Sequence, residues 1–141
     1  MKRDLLLWQF VGFTATVVLG TILHFLYDFT NQNIVVAPFS AVNESTWEHM
    51  KLLYFSAALC ALLQSRFFKE YKSFWCAKAV GIVPGIMLIP VIFYTYNGAF
   101  GKSPDWLNIT FFLISAAAAF IAETYLLKNN VLKCTRPWIS Y

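Results

Sequence analysis

Charged residues are scarce in this chain: Asp, Glu, Lys and Arg make up 13% of its 141 residues, against roughly 25% in a typical soluble domain. Hydrophobic residues make up 59% and aromatic residues 18%. A soluble domain of this size buries only about two thirds of its chain surface, too little to hide so many large apolar side chains. The composition therefore argues against a soluble protein and favours a single membrane-embedded domain over residues 1–141.

Cysteine is also rare, and the three cysteines are Cys60, Cys76 and Cys134. They form no C-x-x-C pair, and none falls in a loop expected outside the cell. This distribution predicts neither a disulfide framework nor a thiol-oxidase site. The net charge of +4 is spread over the loop ends with no basic stripe, so nucleic acid is not an expected partner.

Long apolar runs dominate what remains. A bilayer core about 30 Å thick needs roughly 20 helical residues, and helices satisfy their backbone groups internally in lipid. Four runs are long enough, and they cover residues 5–27, 46–68, 74–96 and 106–127. The sequence therefore predicts an all-α fold, a four-helix transmembrane bundle with short loops.

Basic residues predict the orientation of these spans. Nine of the eleven Lys and Arg residues, all but Lys51 and Lys102, lie before span one, around the second turn or after span four. The positive-inside rule places these regions in the cytoplasm. We therefore expect both termini on the cytoplasmic side of a multi-pass protein of the plasma membrane.

A cluster of ionisable residues lies at the predicted outer ends of spans one and two: His24, Asp28, Glu44, Glu48 and His49. His24 and Asp28 are four apart, as are Glu44 and Glu48, so each pair shares a helix face. Ionisable groups near the hydrocarbon edge are costly and usually have partners. We therefore expect these side chains to converge.

One interpretation of the cluster is a metal site. His24, Asp28, Glu44 and His49 offer imidazole and carboxylate ligands that suit Zn²⁺ or another divalent cation. Glu48 would then be free to act as a catalytic general base on an interfacial substrate. This interpretation makes the protein a metal-dependent membrane hydrolase.

The alternative interpretation is structural. Ser45 and Glu48 have the spacing of a capping box at the start of the second helix, and Asn43 is an alternative cap. His24 would then bond a nearby carboxylate directly. A pocket closed by such contacts would favour a structural or partner-binding protein with no small ligand.

Further polar residues could complete a binding pocket at the same end. Asn43 and Glu44 precede the second span, and Tyr94 and Asn97 precede the second outer loop, with Asp105 after it. Tyr94 and Asn97 can equally be interface anchors and turn residues. We predict that these groups bind a cation or a polar headgroup.

Two further features, a glycine pair and a glutamate, lie within spans three and four. Gly81 and Gly85 form a G-x-x-x-G spacing that permits close helix approach, either within the bundle or in a homo-oligomer. Glu123 lies inside span four, where we expect it to pair with Lys128 or Lys78 or to reach the headgroups.

Three segments of the sequence read L-G-T-I-L-H-F-L-Y-D, V-N-E-S-T-W-E-H-M-K-L and I-P-V-I-F-Y-T-Y-N-G-A-F-G. They are similar to segments of a family of small bacterial four-span membrane proteins of unknown function. The N-E-S-x-W-E-H string carries most of the resemblance. It implies a bacterial inner-membrane protein and no assigned activity.

Together these patterns favour a membrane binding or accessory protein whose outward-facing pocket holds a cation or polar headgroup. The metal-dependent hydrolase and the structural protein remain alternatives. The expected partners are membrane lipid and either a second copy of the chain or another membrane protein.

Overall fold

The computed structural model describes residues 2–132, and this part of the chain is helical with no strand. The four helices are α1 (Lys2–Phe29), α2 (Thr46–Gln64), α3 (Phe74–Phe100) and α4 (Asp105–Asn129). The predicted all-α, four-helix architecture is confirmed. The basic residues after position 132, Lys133 and Arg136, lie outside the described residues, as does Cys134.

Local chemistry explains where the helices begin and end. Ser45 caps α2, because its hydroxyl accepts a hydrogen bond from the backbone N–H of Glu48 at 3.4 Å. The helix ends at Gln64, four residues before the predicted boundary. Gly101, at φ 85°, ends α3, and Asn130 ends α4 in the left-handed conformation at φ 47°, which Gly and Asn adopt most readily.

Three of the helices are long and apolar enough to cross a membrane: Asp4–Phe29, Phe74–Phe100 and Asp105–Asn129. Helix α2 has 19 residues but carries Glu48, His49 and Lys51 near its start, which lowers its hydropathy. Its crossing, predicted from the sequence, stays a prediction.

The helices pack in the ring order α1–α2–α3–α4, and α3 and α4 share the most extensive interface. The 30–45 and 101–104 loops lie at one end of the ring, which we call the histidine end. One apolar core includes Leu53 and Phe112, and a second, near the other end, includes Phe74 and Leu127.

The glycine pair of α3 faces α4. A Cβ atom at Gly81 would lie 2.9 Å from the Cα and N atoms of Glu123, and one at Gly85 would lie 2.7 Å from the Cβ of Ala119. Packing within the bundle therefore uses the G-x-x-x-G spacing, one of the two roles considered above.

The lateral surface of the bundle is apolar. Large hydrophobic side chains are exposed on α1 and also on α2, where they include Leu59 at 45%, Leu62 at 58% and Leu63 at 67%. Such continuous apolar exposure is rare on soluble monomers and suits contact with lipid.

The cysteines differ from one another. Cys60 is free and buried in α2. Cys76 is disulfide-bonded, so the expectation of no disulfide is wrong at this residue.

Candidate functional site: a cleft at the histidine end

A buried serine holds the 30–45 loop against α1. Ser40 is fully buried, and its hydroxyl donates to the carbonyl oxygen of Leu23. The Ser40 hydroxyl oxygen also accepts a hydrogen bond from the backbone N–H of Tyr27 at 2.9 Å. The Ser40 side chain thus lies between the carbonyl of Leu23 and the N–H of Tyr27, two groups that normally bond each other within a helix. This contact places the residues that follow Ser40 next to the start of α2.

Both histidines contact one glutamate of this loop. Glu44 Oε1 lies 3.3 Å from His24 Nε2, and Glu44 Oε2 lies 3.8 Å from His49 Nε2. The two imidazole rings are 5.9 Å apart, and His49 Nδ1 lies 2.9 Å from the carbonyl oxygen of Ser45. The structure therefore brings together three of the predicted residues, with Glu44 between the two rings.

Glu48, the predicted general base, is engaged elsewhere. Its carboxylate lies 2.6 Å from Lys51 Nζ and accepts a hydrogen bond from the backbone N–H of Val42 at 3.0 Å. Its side chain is only 10% exposed. Lys51 also donates to the carbonyl oxygen of Ala37 at 2.9 Å. These contacts tie the loop to α2 and leave Glu48 outside the cleft described below.

The remaining predicted ligands do not join the cluster. Asp28 is exposed and lines no part of the cleft. Asn43 accepts a hydrogen bond from the backbone N–H of Ser45 at 3.0 Å, a local turn contact. Among residues 2–132, no group of three or more His, Cys, Asp or Glu side chains could hold a metal ion. The structure thus does not support the predicted zinc or divalent-cation centre.

A cleft of about 410 Å³ opens beside the cluster, between α1, α2 and α4. Its polar lining residues are Thr21, His24, Glu44, His49, Asp105 and Asn108, and its apolar lining residues are Gly20, Phe25, Leu52, Ile109 and Phe112. The polar groups come from the histidine end, whereas the apolar groups continue along α1 and α4. The cleft is therefore amphipathic.

The second loop positions the α4 side of the cleft. Asn97 accepts a hydrogen bond from the backbone N–H of Ser103 at 2.7 Å, and the Ser103 hydroxyl donates to Asn108 Oδ1 at 2.7 Å. Asn97 therefore supports the cleft without lining it. Tyr94 is 65% exposed and lies away from it.

Sequence reasoning missed Asn108. Asp105 and Asn108 are three residues apart, which places them on the same face of the first turn of α4. A search of the sequence for polar residues at this spacing could have identified Asp105 and Asn108 as a pair. Among the residues the structure describes, the cleft is lined by two carboxylates, Glu44 and Asp105, and by no Lys or Arg.

The chain belongs to DUF6512, a family of unknown function, whose sequence profile matches residues 2–134. The family resemblance is thereby confirmed. No curated protein and no solved structure matches the chain.

Proposed function

We propose that this protein is a small integral membrane protein that binds a lipid with an amine-bearing headgroup in the cleft at the histidine end. The observation that carries the proposal is the lining of the cleft, where Glu44 and Asp105 lie at the polar end of an apolar wall. An amphipathic cleft accommodates an amphipathic ligand, since each part of the ligand finds a matching surface.

The charge of the cleft selects the headgroup. Two carboxylates with no Lys or Arg beside them favour a positively charged group, because a charge-assisted hydrogen bond to a carboxylate is stronger than a neutral one. His24 and His49, at 3.3 and 3.8 Å from Glu44, keep its carboxylate at the mouth of the cleft. A purely anionic headgroup would be repelled by both acidic side chains.

The apolar wall accommodates the acyl chain. Phe25 on α1 and Ile109 on α4 line the cleft and are 51% and 61% exposed. They lie on the lateral surface of the bundle, where lipid tails would surround it. A lipid could therefore enter sideways, between α1 and α4, without leaving the bilayer.

The proposal includes the membrane topology predicted from the sequence, with four spans and both termini in the cytoplasm. The apolar outer surface of α2 and its packing between α1 and α3 support a fourth span. The basic loop residues Arg66, Lys69 and Lys72 support a cytoplasmic location for the 65–73 loop. The histidine end would then face the outside of a bacterial inner membrane.

A metal-dependent hydrolase is less well supported. Its general base, Glu48, is paired with Lys51 at 2.6 Å and does not line the cleft.

Lipid retention measured by native mass spectrometry tests the proposal. The protein is equilibrated with ethanolamine-headgroup and glycerol-headgroup phospholipids of identical acyl chains, and free ethanolamine is added as a competitor. We expect preferential retention of the ethanolamine lipid. The Glu44→Gln/Asp105→Asn variant should lose at least about tenfold in affinity, the scale of one charge-assisted hydrogen bond.

The matched control is Glu70→Gln, because Glu70 is exposed in the 65–73 loop at the opposite end of the bundle. It should retain the preference. Equal retention of both lipids by the wild type, or an unchanged preference in the double variant, would overturn the proposal. Stoichiometric zinc that disappears in His24→Ala/His49→Ala would replace it with a metal centre.

A further inference from the structure

Two Lys–Glu pairs of the bundle are covered by different parts of the chain. Lys78 Nζ on α3 is 2.6 Å from Glu123 Oε2 on α4, and the two side chains are 7% and 1% exposed. This confirms one of the pairings predicted for Glu123, and the helices themselves surround it. The pair of Lys51 and Glu48 lies near the start of α2 and is covered instead by the 30–45 loop, whose backbone both side chains contact. The position of this loop relative to the bilayer therefore decides how the second pair is kept from lipid.

The loop folds back along the side of α1. Helix α1 has 28 residues, about 42 Å of helix, which matches the thickness of a bilayer with both headgroup layers, about 40–45 Å. Ser40 contacts the backbone of Leu23 and Tyr27, two to six residues before α1 ends at Phe29. These contacts lie about 3–9 Å back from the end of the helix. The loop thus returns to the level of the headgroups and the outermost acyl groups.

An aromatic contact places the loop at a similar level on α2. The rings of Phe39 and Phe55 are 5.0 Å apart in an edge-to-face arrangement. Phe55 is nine positions after Thr46, the first residue of α2, and its ring leans back toward the start of the helix, as long helical side chains do. The loop is therefore continuous with the apolar lateral surface of α2.

The folded-back part of the loop is apolar. Residues 34–39 read I-V-V-A-P-F, and residues 29–43 contain no Asp, Glu, Lys, Arg or His. Ile34 and Val35 are 83% and 72% exposed. Burial of one such side chain stabilises by about 1.5–3 kcal/mol, so their exposure in water would forgo a large gain.

The backbone of the same segment is bonded within the protein. The carbonyl oxygen of Val36 accepts from the backbone N–H groups of Phe39 and Ser40 at 3.0 and 3.1 Å. The carbonyl oxygen of Ala37 accepts from Lys51 Nζ at 2.9 Å. Non-helical backbone at membrane depth must have its polar groups satisfied by protein. Internally bonded backbone beneath outward apolar side chains is therefore what a segment facing lipid requires.

We propose that residues 34–39 lie in the interfacial layer of the bilayer, with Ile34 and Val35 against phospholipid acyl chains. The depth of about 3–9 Å agrees with the 5–10 Å or so to which segments lying in the membrane surface bury their apolar side. Trp47 is exposed at the start of α2, where an aromatic residue commonly lies among headgroups. Lipid fits this surface better than a protein partner, because the exposed side chains offer no charge to pair with and continue the lateral surface of α2.

The loop then has a role in the insertion of α2. Glu48 and Lys51 lower the hydropathy of this helix, and charged groups in contact with lipid are costly. The loop covers both side chains and presents Ile34 and Val35 to the lipid in their place. This role is distinct from headgroup binding, because residues 34–39 do not line the cleft.

Electron paramagnetic resonance of a spin label at position 35 tests this inference. Full-length Val35→Cys protein, in a background without the native cysteines, is spin-labelled and placed in phosphatidylcholine nanodiscs, whose two faces are both open to solution. Collisions of the label with oxygen, which dissolves in acyl chains, are compared with collisions with a water-soluble nickel chelate. We expect the ratio of oxygen to nickel collisions to be severalfold higher than at a control position in water.

The matched control is Asp28→Cys with the same label. Asp28 is exposed at the same end of the bundle, one residue before α1 ends, and collisions with the nickel chelate should dominate there. Ile34→Cys repeats the measurement at the neighbouring position, so that a local disturbance by the label at position 35 does not decide the result.

Equal ratios at positions 28, 34 and 35 would place the loop in water and overturn the inference. Low collision rates with both reagents at positions 34 and 35 would also overturn it, since protein, such as a second copy of the chain, would then cover the segment. The outcome is separable from the lipid-binding proposal, because neither Val35 nor Asp28 lines the cleft and no headgroup preference is measured.

Discussion

Substitution of Gly81 by alanine probes a close contact between helices α3 and α4. The new Cβ atom would lie 2.9 Å from the backbone N and Cα atoms of Glu123, whereas carbon atoms pack best at about 3.5–4.0 Å. Helices α3 and α4 would have to separate by about 0.5–1 Å. Overpacking of this kind costs about 1–3 kcal/mol, and the better helix propensity of alanine returns about 1 kcal/mol. We expect a net loss of about 1 kcal/mol.

Gly98→Ala is the matched control on the same helix. A Cβ atom there would have no neighbour within 4 Å, so the substitution should stabilise α3 by about 1 kcal/mol. The two variants should therefore differ by about 2 kcal/mol in free energy of unfolding. Reversible unfolding in mixed detergent micelles, followed by circular dichroism, measures this difference. Equal effects of the two substitutions would refute the close α3–α4 packing.

Three further predictions concern polar contacts, and the same unfolding assay measures each of them. Lys78→Met or Glu123→Gln alone should lower the free energy of unfolding by about 3–5 kcal/mol, because the remaining partner stays buried without its counter-charge. The double variant Lys78→Met/Glu123→Leu should recover most of this loss. A double variant as unstable as the single variants would contradict this prediction. Ser45→Ala should cost about 1 kcal/mol through loss of the α2 cap, and no loss would argue against that cap. Ser40→Ala should cost about 1–3 kcal/mol, since it leaves buried backbone groups unsatisfied, and a neutral result would contradict its insertion into α1.

Most of the helical framework could be predicted from local sequence. The predicted second and third spans begin at residues 46 and 74, and the observed helices begin at Thr46 and Phe74. Ser45 was predicted as the cap of α2 because its side chain can accept from a backbone group three residues away, a contact set by local geometry. The pairing of Glu123 followed from the rarity of charge within a span.

The site was harder to predict, because it depends on contacts between residues distant in sequence. The spacing of His24, Glu44 and His49 indicated that these side chains converge. It could not show that the Glu48 carboxylate would instead contact Lys51 and the backbone N–H of Val42. Nor could it show that Asp28 points away. Local periodicity predicts which residues share a face, whereas the position of a loop relative to the helices depends on packing.

Ser40 illustrates this limit most clearly. Its hydroxyl contacts Leu23, which is 17 residues earlier in the chain, and no local pattern marks that contact. The same applies to Asn108, whose orientation in the cleft depends on Ser103 and Asn97 in the preceding loop and helix.

The account as a whole depends on α2 crossing the bilayer, so that the 30–45 and 65–73 loops face opposite sides. Single cysteines placed at Val42 and at Glu70, in a background without the native cysteines, can be labelled in intact cells by a reagent that does not cross membranes. The account predicts labelling of Val42→Cys in intact cells and of Glu70→Cys only after permeabilisation. Labelling of both positions from the same side would contradict it.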